Sequence, residues 1–155
     1  MMARIKIELP DKFPFTTSIP VRITDINYSG HAGNDSILSM IHEARMQFLA
    51  SYGYKELDLE GVSMIMADVG IEYKKELFYN ELVFASVAAS GFSKVGFDIY
   101  YKFEKIHSYP DVYRDVDDKR IIVAIAKTGM VCFDYEKKKI TSIPVLAKQK
   151  LSNGV

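Results

Sequence analysis

Between positions 37 and 49 the apolar residues recur at helical spacing. Ile37, Ile41, Ala44 and Phe48 form the stripe, and Leu38 and Leu49 widen it. Asn34-Asp35-Ser36 offers N-cap side chains just upstream, and Gly53 offers a stop, so a helix of four to five turns is predicted here. Apolar residues around much of its circumference predict that other structure largely wraps it. Before it, Ser18 to Thr24 is rich in β-branched residues and reads as a short strand; Pro20 either lies near its start, where a missing N–H is best tolerated, or marks it as an edge. Asp25 to Gly33 is a loop by composition.

After the helix the period changes from 3.6 to 2. Val62 to Tyr73 and Leu82 to Ala89 read as strands. Lys94 to Glu104 alternates, with Val95, Phe97, Ile99, Tyr101 and Phe103 on one side and Lys94, Asp98, Lys102 and Glu104 opposite. Ile121 to Phe133 is apolar at most positions, as in a strand buried on both faces. His107 to Lys119 reads as an exposed loop with room for a lid or a subunit contact, and Pro144 to Leu151 as a short helix. The opening segment, with Pro10 and Pro14, is expected to be extended. One helix followed by a run of strands predicts an α+β fold, an antiparallel sheet curling around that helix.

Composition narrows the partners. The 155 residues fit one domain, and 48% of them are hydrophobic. Lys+Arg and Asp+Glu both number 20, so no basic excess points to nucleic acid or a membrane surface. No window approaches the roughly 20 apolar residues of a membrane helix. The single cysteine, Cys132, lies in an apolar run and reads as a buried core thiol. With no signal-peptide pattern in the first residues, a cytoplasmic protein is expected. The histidines lack metal-ligand spacing, so neither a metal nor a cofactor is called for. Met40, Met46, Met64 and Met66 read as core filler, or as the lining of an acyl tunnel.

The local motifs carry a family resemblance. Asp25-Ile26-Asn27-Tyr28-Ser29-Gly30-His31-Ala32-Gly33-Asn34, followed by Glu43-Ala44-Arg45, resembles the D-x-D-x-x-G-H-x-x-N and E-A-R segments of acyl-CoA thioesterases of the 4-hydroxybenzoyl-CoA type. Ile71-Glu72-Tyr73, Val123 to Ala126, Phe133-Asp134 and Ile143-Pro144 fit the later strands of that superfamily. The resemblance runs from about Val21 to Leu151. It implies the hotdog fold, a curved antiparallel sheet wrapped around one central helix. It also implies hydrolysis of an acyl-CoA or other acyl thioester by a homodimer or homotetramer with its site at a subunit interface. The runs Leu82 to Ala89 and Ile121 to Phe133 are consistent with sheet surface buried between subunits.

The same resemblance distributes roles. A backbone N–H near Asn34, at the helix start, would polarise the thioester carbonyl, and Gly33 would let the acyl group approach. Tyr28, Gly33, Asn34 and Asp35 are the substrate-binding candidates. The position of the family's catalytic acid is Asn27, and an amide cannot accept a proton. Asp25, the first acid of the motif, His31, and the helix acid Glu43 beside His42 are the alternative bases. Each has a plainer reading: Asp25 as a loop tie, Asn27 as a turn residue, His31 as a bond from loop to sheet, Glu43 as the partner of Arg45 or another cation. A hotdog module that binds an acyl thioester and turns it over slowly or not at all is the rival function. A related dehydratase ranks below both.

Overall fold

The computed structural model describes residues 2–106 and 119–153. Strand β1 spans Phe15–Pro20, helix α1 Asn34–Ser51, β2 Ser63–Tyr73, β3 Leu82–Ser90, β4 Gly96–Ile106, β5 Arg120–Asp134, β6 Lys139–Ile140 and α2 Val145–Ser152. The strands form one antiparallel sheet in the order β1-β3-β4-β5-β2, with β6 paired to the end of β5. Helix α1 lies against one face of this sheet, which is the hotdog arrangement. Among the described residues no helix is long and apolar enough to cross a membrane.

Strict alternation in β4 sets the core. Phe97, Ile99, Tyr101 and Phe103 point toward α1 and are at most 3% exposed. Opposite them in register stand Met130, Thr128, Ala126 and Ala124 of β5. The small alanines leave space that the large β4 side chains and Phe48 of α1 fill. Cys132 is fully buried in this core, across from Met64. Consecutive burial of Val123 through Ala126 matches the reading of β5 as a strand covered on both faces. Met40 and Met64 are core residues, whereas Met66 is 42% exposed at the sheet edge.

Three details differ from the sequence expectation. The first strand begins at Phe15 and ends at Pro20, and Ile23–Asp25 is a 3-10 turn. The Asp25 carboxylate accepts the Arg22 backbone N–H at 2.8 Å, which closes that turn instead of prolonging the strand. Pro20 does sit in an edge strand, since β1 pairs only with β3. The helix N-cap is Gly33, in extended conformation and without a side-chain cap. Helix α1 is buried along one stripe, Ile37, Met40, Ile41, Ala44, Arg45, Phe48 and Leu49, while Leu38, His42 and Glu43 stay exposed. The predicted loop from His107 lies, up to residue 118, outside the described residues.

The opening segment crosses the face of the sheet opposite α1. Ile5 and Ile7 pack over Gly70 of β2, where a Cβ would stand 3.5 Å from Ile5 Cγ2. The Ile7 N–H donates to Glu72 Oε2 at 2.8 Å. Farther along, the Lys102 ammonium of β4 lies 5.0 Å from the Phe13 ring.

Candidate functional site

The loop between the 3-10 turn and α1 is a small hairpin. Asn27 N–H donates to His31 O at 2.9 Å, and Gly30 N–H to Asn27 O at 3.0 Å. Gly30 takes φ +85°, a conformation that glycine adopts at no steric cost. Asn27 Oδ1 accepts the Ser29 N–H at 2.9 Å, the side-chain-to-backbone bond of an Asx turn. Two bonds then hold the loop at the helix start: Ala32 N–H to Leu77 O at 2.8 Å and Gly33 N–H to Asp25 O at 3.1 Å.

These bonds leave the start of α1 open. Gly33 has no side chain to cap the first turn, and Asn34 N–H has no acceptor among the described residues. Asn34 Oδ1 accepts the Asp35 N–H at 2.9 Å. The Tyr73 hydroxyl, at the end of β2, donates to Asn34 O at 3.1 Å. Beside this terminus is a cavity of about 310 Å³, lined in part by His31, Ile37, Tyr73, Lys75 and Leu77. Burial and the Asp35 charge together push the Tyr73 hydroxyl above its ordinary pKa.

The predicted acids are not gathered in that cavity. Asp25, only 5% exposed, accepts from Arg22 N–H at 2.8 Å, and its other oxygen lies 3.3 Å from Arg22 Nη2. Glu43 Oε1 accepts the Gln47 amide at 2.7 Å. Asp25 and Glu43 both line a second cavity, about 340 Å³, between β1 and α1. Arg45 does not pair with Glu43; its side chain turns inward and donates to Glu56 Oε1 at 2.6 Å.

His31 does reach the first cavity. Its Nδ1 lies 3.2 Å from Ala32 O, and its Nε2 lies 3.8 Å from Glu76 Oε1. A carbonyl only accepts, so Nδ1 carries a proton in that bond. His42 stands on the helix surface, 3.5 Å from Glu56 Oε2. Tyr28 projects fully into solvent. Glu76, Tyr73 and Lys75 were not among the sequence candidates. They lie some forty positions beyond the loop, and only folding of the sheet against α1 brings them to it. Tyr73 alone left a trace, as the last residue of Ile71-Glu72-Tyr73.

Comparison with known proteins agrees with this geometry. A family described as "Thioesterase-like superfamily" matches residues 21–151. A search of curated proteins finds no match. Among solved structures, a hypothetical protein from Aquifex aeolicus is 25% identical, with a TM-score of 0.74 over 90% of this chain and 100% of that one. A thioesterase superfamily protein from Jannaschia sp. CCS1 is 14% identical, with a TM-score of 0.76 over 94% and 85% of the two chains. A 1,4-dihydroxy-2-naphthoyl-CoA thioesterase from Synechocystis is 17% identical, with a TM-score of 0.71 over 88% and 93%.

Proposed function

The chain belongs to the thioesterase-like superfamily, and from that premise we propose that it hydrolyses an acyl-CoA or related acyl thioester to the free acid and thiol. The observation that carries this reading is the uncapped start of α1 at Gly33-Asn34, opening beside an apolar-lined cavity. Attack on a thioester turns the carbonyl oxygen into an oxyanion. A fixed N–H at the positive end of a helix dipole stabilises that charge more than it stabilises the ground-state carbonyl. Losing one such donor typically costs about 10²–10³ in rate. A cavity of about 310 Å³ suits a small or medium acyl group. Lys75, on its wall, pairs with no carboxylate among the described residues, which supports a thiol carrier bearing phosphate.

The proposal includes a homodimer or homotetramer with its site at a subunit interface. Met66, Val69 and Tyr73 are exposed apolar side chains of β2, an edge strand of the sheet. Leu38 on α1 adds to the exposed apolar surface. An open edge with apolar side chains is stable in water when another chain covers it. A cytoplasmic setting, read from the single cysteine, belongs to the same proposal.

Asn27 favours one second reading, a module that binds an acyl thioester without turnover. Thiol release from butyryl-CoA, decanoyl-CoA and benzoyl-CoA, with wild type and Asn27→Asp, separates the two. Wild-type turnover supports the hydrolase. A silent wild type with an active Asn27→Asp variant supports the binding module.

A further inference from the structure

We propose that His31 carries the proton in thioester hydrolysis at the start of α1, with Glu76 holding the charge it acquires; this rests on the hydrolase reading above. The two residues are distant in sequence, and one backbone bond brings them together. Ala32 N–H donates to Leu77 O at 2.8 Å, and these are the neighbours of His31 and Glu76. Ala32 and Leu77 are both buried, so water does not compete for that bond. It fixes the loop beside the segment after β2 and sets His31 Nε2 3.8 Å from Glu76 Oε1. From the other side, Asn27 N–H donates to His31 O at 2.9 Å and ties the residue into the hairpin.

The cavity itself narrows the choice of proton acceptor. Asp25 and Glu43 line the other cavity, between β1 and α1. The ionisable side chains on the wall of the one at Asn34 are His31, Tyr73, Lys74, Lys75 and Glu76. A lysine ammonium only donates, and the Tyr73 hydroxyl gives its proton to Asn34 O. His31 Nδ1 carries a proton in its 3.2 Å bond to Ala32 O, so Nε2 is the ring nitrogen with the lone pair. At 3.8 Å Glu76 is beyond hydrogen-bond length, and that lone pair stays open to the cavity. The Glu76 side chain is 62% exposed, whereas that of His31 is 30% exposed and held at its backbone and at Nδ1. A positioned imidazole suits general-base work near neutral pH. The nearby carboxylate then favours the imidazolium that forms.

The step balances without a further reactant. A water proton passes to His31 Nε2 as the water oxygen bonds to the acyl carbon, and the carbonyl oxygen becomes the oxyanion at Asn34 N–H. Collapse re-forms the carbonyl and breaks the C–S bond, whose electron pair leaves on sulfur. The imidazolium returns its proton to the thiolate, giving acid and thiol.

The test measures kcat and KM on the fastest of the three CoA esters named above. His31→Asn places an amide nitrogen where Nδ1 stands, which keeps a donor for Ala32 O and removes Nε2. It is expected to lower kcat about 10²–10⁴-fold with KM little changed. His31→Ala should lose as much and recover part of it on addition of imidazole. Glu76→Gln should lower kcat about 2–5-fold, the size of a solvent-exposed ion pair, and should cost nothing further in the His31→Asn background. Wild-type-like kcat in a folded His31→Asn variant would overturn the proposal. So would a His31→Ala loss that imidazole leaves untouched, or failure of both His31 variants to fold, which would make His31 structural. A Glu76→Gln loss larger than that of His31→Asn would overturn it too, by making Glu76 the base. Equal losses from Glu76→Gln with and without His31 would remove Glu76 from the proposal. A wild type silent on all three esters overturns the hydrolase reading itself, and the proton role with it.

Discussion

Arg45 and Glu56 form an ion pair of 2.6 Å whose guanidinium end is buried against the sheet. Arg45 Nη1 also donates to the Tyr101 hydroxyl at 3.4 Å, and that hydroxyl shares a bond of 2.8 Å with Thr128 Oγ1. Glu56, 26% exposed, is partly screened by water, so removing Arg45 costs less than breaking a fully buried pair. Arg45→Met is expected to lower stability by about 2–4 kcal/mol. Urea unfolding followed by circular dichroism checks this, and an unchanged midpoint would contradict it.

Gly33→Ala should leave the fold intact, because its backbone conformation suits alanine. The added methyl displaces the Asp35 carboxylate. It also crowds the approach of an acyl group to the open Asn34 N–H, so a large loss of kcat with little change in Tm is expected.

Burial pushes the Cys132 thiol up to about 11 from the ordinary 9.0. The folded protein thus holds this proton more tightly than the unfolded chain does. The associated stability is fully present below about pH 9 and is lost as pH rises toward 11. Iodoacetamide at pH 8 should label the native protein very slowly and the urea-unfolded protein rapidly. Fast native labelling would place the thiol at the surface.

The β2 edge gives a prediction about assembly. Val69, 38% exposed, is an apolar residue of that strand. Val69→Lys should shift light scattering from an oligomeric mass toward the monomer. An unchanged oligomer would move the interface to another surface.

Much of the fold was legible because its signals are local. Helical spacing of Ile37, Ile41, Ala44 and Phe48, and alternation from Phe97 to Phe103, each report which face is buried within a few residues. The helix cap was misplaced because Asn34, Asp35 and Ser36 are all good cap residues by type. Gly33 takes the cap, where its N–H donates to Asp25 O and the Asp35 carboxylate fills the space a Cβ would need. The end of β1 was missed because the bond between the Asp25 carboxylate and Arg22 N–H, which turns the chain, competes with strand propensity.

The sequence by itself determined the α+β order, the core faces and the loop with its amide at position 27, since periodicity and motif spacing are properties of neighbouring residues. Only the tertiary structure decided where the candidate groups go. Asp25 and Glu43 line the cavity between β1 and α1, whereas His31 lines the one at the helix start. That difference depends on hydrogen bonds and side-chain direction, and the pattern of residue types along a chain does not encode either.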